Sequence, residues 1–126
     1  MINFRRALER LRKPKQGSKP HFAKVTFVAS MDLVPEDPGS TIYIVGAKKL
    51  PKWAAFKCPC GQDHRLTVPL MTSVSPHWTL TVRRGSASLW PSVSVDNDPC
   101  TSHFWLRTNQ VEWARWAWES PSGDKR

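Results

Sequence analysis

All three cysteines of the 126-residue chain lie in two short segments, and their placement limits the folds open to it. A Cys-x-Cys turn within Cys58–Gly61 is followed about forty residues later by a Cys-x-x-His segment, and tetrahedral zinc accepts such a Cys3His set. Pro59 fixes φ between the two sulfurs, and Gly61 lets the backbone curl so that amide groups can point at thiolates. The sequence therefore predicts one Zn²⁺ ion held by Cys58, Cys60, Cys100 and His103.

The cysteine count leaves one alternative to a metal site. Cys100 could form a disulfide with Cys58 or with Cys60, which would leave one free thiol. An odd cysteine count argues against the disulfide framework of a secreted protein and favours a reducing, cytoplasmic location. No apolar run is long enough to span a bilayer, and the N-terminus lacks the apolar region and cleavage site of a signal peptide.

Positive charge is concentrated at the N-terminus. Residues 1–25 contain eight basic residues and one acidic residue, and so carry seven of the nine net positive charges. Helical spacing of apolar residues predicts a short helix over residues 3–13, and residues 1–20 are interpreted as a basic helix and linker. This arm could bind nucleic acid, an anionic lipid surface or an acidic protein patch, or remain a solvated extension. The basic residues concerned are Arg5, Arg6, Arg10, Arg12, Lys13 and Lys15.

Alternation with a period of two begins after the linker and predicts a small antiparallel all-β domain. Eleven prolines and six glycines indicate many turns and few long helices. One domain is predicted over residues 21–118, with a disordered tail over residues 119–126. The knuckle Cys58–Gly61 should lie at the tip of a hairpin, and Pro91 should place its strand at an edge or a bulge. Five of the seven tryptophans lie in or beside expected strands and are predicted to be mostly core residues: Trp78, Trp90, Trp105, Trp113 and Trp116.

A composite of motifs over about residues 22–116 resembles a small bacterial zinc-knuckle family, formerly of unknown function. Its members share a cysteine-rich knuckle, a later tryptophan strand, a Pro-Ser motif and a Cys-x-Ser-His-aromatic motif. The corresponding segments here are Cys58–Gly61, Trp78, Pro91–Val93, Cys100–Trp105 and Val111–Trp113. The chain departs from the family pattern at Gln62-Asp63, where a further Cys-Gly usually follows the knuckle.

The resemblance implies a function in bacterial ubiquitin-like conjugation. Members of the family are often encoded beside E1-like, E2-like and ubiquitin-like proteins, and some are thought to be zinc peptidases acting on the ubiquitin-like protein. The expected activity is therefore a zinc-dependent peptidase that processes a ubiquitin-like protein or removes it from conjugates. The alternative is a non-enzymatic module with structural zinc, which binds nucleic acid or a protein partner through its basic arm.

Catalysis by the metal would need an open coordination position and a group that moves a proton. The candidates are Asp63 and His64 beside the knuckle, His77 before Trp78, and Ser92 as a polar or nucleophilic group. Each also has an ordinary structural interpretation, as a turn or strand residue. Ser102 is expected to hydrogen-bond a cysteine sulfur from just outside the ligand set. The chain contains neither the His-x-Glu of nucleobase deaminases nor a His-Glu-x-x-His motif.

Overall fold

The computed structural model describes residues 22–97 and 100–114, which form eight β-strands. The predicted helix over residues 3–13, the basic arm, the tail and Trp116 lie outside the described residues. The domain limits at residues 21–118 therefore stay a prediction. The strands are β1 (Lys24–Val28), β2 (Thr41–Ala47), β3 (Leu50–Lys57), β4 (Arg65–Pro69), β5 (Thr79–Arg83), β6 (Ser86–Asn97), β7 (Cys100–Arg107) and β8 (Gln110–Trp113).

The strands form two four-stranded sheets, ordered β1-β2-β3-β4 and β5-β6-β7-β8. Five of the six strand pairs are antiparallel, as expected from short strands joined by turns. The expectation of a wholly antiparallel fold is wrong for one pair, because β1 and β2 run parallel. The segment between them returns across the sheet through a 3-10 turn at Met31–Leu33, and no α-helix occurs in the described ranges.

The larger of two apolar clusters joins the two sheets, and the smaller one is formed by Val34, Val45 and Ala55. Alternate residues of both sheets contribute to the larger cluster, including Ile44 and Phe56 from the first sheet and Phe104 and Leu106 from the second, all fully buried. The rings of Phe56 and Phe104 meet edge to face across the core, with centroids 6.4 Å apart. This packing fixes the inner and outer face of every strand, and therefore the direction of each candidate side chain.

Strand β6 contains the irregularity that shapes the site. Leu89 pairs with Leu106 and Val93 pairs with Phe104, so three residues of β6 stand opposite the single residue Trp105 of β7. Pro91 lies within this bulge and has no partner in β7, so its missing N–H removes no hydrogen bond between the two strands. The bulge predicted for Pro91 as one of two possibilities is the one observed.

Two tryptophans contradict the expectation of a mostly buried set. Trp90 is 66% exposed because it lies on the outer face of the second sheet. Trp113 is 52% exposed although its ring packs edge to face against Phe104, because it lies on the edge strand β8. Trp78 and Trp105 are half-buried, and only Trp78 packs against the main core. The core is filled instead by smaller residues and phenylalanines, and the Trp90 ring remains exposed at the surface.

Candidate functional site

The knuckle lies at the tip of the β3–β4 hairpin, as the sequence predicts. The N–H of Cys58 donates to the carbonyl of His64 at 2.8 Å and closes the loop. Gly61 has φ of +87°, a left-handed conformation that glycine adopts without the strain of a Cβ. The N–H of Gln62 then points at the Cys60 sulfur at 3.4 Å. The loop thus turns its sulfurs and the His64 ring toward one point.

Cys58, Cys60, His64 and Cys100 form a group with metal-binding geometry. Their ligand atoms all lie within 4.8 Å of one another. Zinc–sulfur bonds of about 2.3 Å in a tetrahedron place two sulfurs about 3.8 Å apart, and the Cys58 and Cys100 sulfurs are 3.7 Å apart. The Cys60 sulfur lies 3.2 Å from Nε2 of His64. The three cysteines are free thiols, so neither disulfide of the alternative interpretation is present.

Burial shapes the acid–base behaviour of these thiols. Desolvation raises the pKa of Cys58 to about 12 in the metal-free chain, so that this thiol keeps its proton at neutral pH. Burial also raises the pKa of Cys60, but hydrogen bonds from the Gln62 N–H and from the Cys100 and Cys58 sulfurs outweigh it and leave that pKa below its ordinary value. A cation bound here would stabilise the thiolate forms and release protons on binding.

Asp63 lies on the outer side of the knuckle and forms an ion pair. Its carboxylate is 3.0 Å from Nζ of Lys57, which also lies 3.3 Å from the Asp37 carboxylate. Hydrogen bonds to the two carboxylates raise the pKa of Lys57, and the Gly39 N–H together with Lys57 lowers the pKa of Asp37. Asp63 itself has φ of +57° in the turn. The structure thus gives this predicted catalytic residue a position in the loop, bound to a lysine.

Ser92 and His103 form a second constellation, on the outer face of the second sheet. Oγ of Ser92 lies 2.9 Å from Nε2 of His103, and both residues are half-buried. His103 stands opposite Ser94 in the β6–β7 ladder, and Ser92 lies two residues before Ser94 on the same face, at the end of the bulge. Nδ1 of His103 is buried. A serine hydroxyl hydrogen-bonded to an imidazole is the arrangement by which hydrolases activate a nucleophile.

The two constellations lie on opposite faces of β7. Cys100, Ser102, Phe104 and Leu106 are all buried on the inner face, and the residues between them are half-buried or exposed. His103 is three residues from Cys100 and therefore points away from the cysteines. His64 occupies the position beside the thiols that the sequence interpretation assigns to His103.

The remaining predicted residues have local partners. Oγ of Ser102 lies 3.5 Å from the Cys100 sulfur, the kind of contact expected for it from the sequence. His77 bonds through Nδ1 to the Val74 carbonyl at 2.8 Å, within its own loop. Neither belongs to the metal-binding group found among residues 22–97 and 100–114.

Trp78 connects the two sheets beside Ser92. Its backbone N–H donates to the Pro69 carbonyl at the end of β4, at 2.9 Å. Its indole Nε1–H donates to the Ser92 carbonyl at 3.1 Å. The indole therefore restrains the backbone that carries the Ser92 hydroxyl.

Comparison with known proteins identifies the family. A family model described as bacterial ubiquitination-like system serine protease (BubE) matches residues 27–114, which is more than half of the chain. The chain belongs to this family. No curated protein and no solved structure has significant similarity to it. The match supports the association with bacterial ubiquitin-like systems that the resemblance implies.

The family description changes the expected chemistry. It names a protease, in agreement with the expected hydrolase, but a serine protease and not a zinc peptidase. Of the four catalytic candidates, Ser92 is the one whose residue type matches that description, and it is the one that the fold joins to a histidine. The cluster of Cys58, Cys60, His64 and Cys100 could hold a metal ion, and three thiolates with an imidazole suit zinc.

The structure does not test the expected cytoplasmic location or the expected binding of nucleic acid. No helix among the described residues is long and apolar enough to cross a membrane. The expected cytoplasmic location stays a prediction. The basic residues proposed to contact nucleic acid lie outside the described residues. The structure therefore does not test the alternative of a nucleic-acid-binding module.

Proposed function

We propose that the chain is a serine protease that cleaves a bond at the C-terminus of a ubiquitin-like protein, with Ser92 as nucleophile and His103 as general base. The observation that carries the proposal is the 2.9 Å contact between Ser92 Oγ and His103 Nε2 in a chain of a serine protease family. The ubiquitin-like protein of the same bacterial system is the proposed substrate, free or conjugated. Family membership supports that class of partner.

The chemistry follows the general scheme for a serine and a histidine in contact. His103 Nε2 accepts the hydroxyl proton as Ser92 Oγ attacks the scissile carbonyl carbon. The tetrahedral adduct collapses when His103 returns that proton to the leaving group, and an ester of Ser92 remains. A water molecule, deprotonated by His103, then hydrolyses the ester. The products are a free carboxylate on the ubiquitin-like protein and the regenerated serine.

The metal-binding group has a structural role in this proposal. Cys58, Cys60, His64 and Cys100 would hold a zinc ion that cross-links the β3–β4 hairpin to the start of β7. Four protein ligands fill a tetrahedral shell and leave no position for a reacting water. The ion supplies folding free energy when bound, and the proton transfers belong to His103 on the other face of the same strand.

Covalent labelling tests the assignment directly. A fluorophosphonate probe reacts only with an activated serine, so the wild-type protein should be labelled once, at Ser92, as read by peptide mass mapping. The same preparation should release the ubiquitin-like protein from a conjugate of the same system. Absence of labelling in a folded, zinc-loaded protein would refute the proposed nucleophile.

Trp78 is expected to be a positioning residue for Ser92. Trp78→Phe keeps an aromatic ring but removes the indole N–H that donates to the Ser92 carbonyl. Because one hydrogen bond contributes about 1 kcal/mol, we expect about a fivefold fall in kcat with little change in KM. Steady-state kinetics on the conjugate measure both constants.

The matched control is Trp113→Phe, since Trp113 is half exposed on β8. It should leave kcat within about twofold. A parallel fall in kcat and in thermal stability for Trp78→Phe would assign its effect to folding and contradict the positioning role.

A further inference from the structure

An open groove lies between the two sheets beside Ser92. One wall is the free edge of β4, and the other is the second half of β6. The groove encloses about 400 Å³ and is lined by apolar side chains, among them Leu66, Val68, Val93 and Val95. Strand β5 pairs with β6 only as far as Trp90, so within the described chain no strand covers this side of β6 after the bulge.

Hydrogen bonds of the neighbouring strands β7 and β8 show to which side the backbone N–H and C=O groups of each β6 residue point. The N–H of Ala114 donates to the His103 carbonyl, so His103 turns its backbone polar groups toward β8. Its neighbours Ser102 and Phe104 therefore face β6, where they pair with Val95 and Val93. The backbone groups of the intervening residues, Ser94 and Asp96, must point to the other side, into the groove.

A second contact gives the same direction independently. The Ser92 carbonyl accepts the indole N–H of Trp78, which lies on the groove side of β6. Since backbone direction alternates along a strand, Ser94 and Asp96 share the orientation of Ser92. Ser94 and Asp96 are both exposed. The groove therefore presents a row of unpaired strand groups that begins next to the nucleophile.

Trp78 closes the groove at the end that carries Ser92. It binds Pro69 on one wall and Ser92 on the other, and thereby joins the two edges at that end. Beyond Trp78 the two edges are not paired with each other. A chain lying in the groove would thus end beside the backbone of Ser92.

We propose that the extended C-terminal tail of the ubiquitin-like substrate binds in this groove as an added strand on β6, hydrogen-bonded to the backbone of Ser94 and Asp96. The inference rests on the proposed function, because Ser92 defines where the tail must end. Unpaired strand edges bind extended peptides through main-chain hydrogen bonds, and adjacent pockets select alternate side chains. The apolar side chains that line the groove suit a tail with apolar side chains at alternate positions.

A proline substitution tests the pairing, because proline removes one backbone N–H. Ser94→Pro, made in a Ser92→Ala background to prevent turnover, deletes an N–H that points away from β7 and so leaves the β6–β7 ladder intact. The probe is a fluorescein-labelled peptide with the last eight residues of the ubiquitin-like protein. Fluorescence anisotropy should show binding about fivefold weaker, which corresponds to the loss of about one backbone hydrogen bond.

Two matched comparisons keep the test independent of folding. Ser94→Ala retains the N–H and should bind the peptide as the Ser92→Ala parent does. N-methylation of successive peptide amides should weaken binding at every second position, the period of a paired strand. Equal binding by Ser94→Pro and the parent, or a methylation series without that period, would overturn the proposed pairing.

Labelling of the wild-type protein separates the two proposals. A protein that reacts with fluorophosphonate at Ser92 but binds no tail peptide would refute the groove as the tail site and leave the nucleophile in place. A protein that does not react at Ser92 would refute both.

Discussion

Replacement of Ser92 by alanine should abolish cleavage of the ubiquitin-like substrate while the protein remains folded. Removal of a serine nucleophile or its histidine base lowers kcat by about 10⁴-fold or more in hydrolases of this type. His103→Ala should have an effect of similar size, because His103 Nε2 is the atom that contacts the Ser92 hydroxyl. Steady-state cleavage of the conjugate and fluorophosphonate labelling are the measurements.

The double variant sharpens this prediction. Residues that act as a unit lose their function together, so Ser92→Ala combined with His103→Ala should be no slower than either single variant. Ser88→Ala provides the control, since Ser88 lies on the same strand and outer face, where its hydroxyl accepts a hydrogen bond from Thr108. A Ser92→Ala protein with more than a few per cent of wild-type activity would rule out the nucleophile.

The strands could be predicted because alternation is a local signal. The period-two patterns after residue 21 correspond to β1 through β8 within a few residues, and the knuckle at a hairpin tip needed only two adjacent strands and a turn. The parallel pairing of β1 with β2 could not be predicted in this way. The direction in which β1 and β2 pair depends on how the segment between them crosses the sheet. Alternation of apolar and polar residues within each strand carries no information about that path.

The sequence interpretation assigned the wrong histidine, His103 instead of His64, to the metal-binding group. Cys100 and His103 look like a Cys-x-x-His pair if they lie in a turn. Because β7 begins at Cys100, the pair lies in an extended strand, where residues three apart point to opposite faces. A signal for His64 was present, since it follows Cys60 by four residues in a loop with two fixed turns at Gly61 and Asp63.

The contact between Ser92 and His103 had no local signal. The two residues are eleven positions apart on neighbouring strands, and regular pairing places His103 opposite Ser94. Ser92 lies two residues along β6 from that position, at the end of the bulge around Pro91, and its hydroxyl reaches the imidazole diagonally. Pro91 itself indicated an irregularity, but its size and direction depend on how β6 packs against β7.

The metal site gives a prediction that separates the two histidines. His64→Ala should lose the stoichiometric zinc of the purified protein, and His103→Ala should retain it, as measured by elemental analysis. A ligand present at 1,000 times its Kd stabilises the native state by about 4 kcal/mol. For a domain of about 100 residues this corresponds to a fall in Tm of about 15–30 °C when the metal is lost.

Removal of the metal by a strong chelator should lower Tm by the same amount. The reason is that the ion would cross-link the β3–β4 hairpin to β7 through buried Cys58 and Cys100. Calorimetry of the chelated wild type should match that of His64→Ala, whereas His103→Ala should melt near the untreated protein and be inactive. Loss of zinc from His103→Ala with retention in His64→Ala would restore the ligand set that the Cys-x-x-His spacing predicts. It would then leave Ser92 without its proposed base.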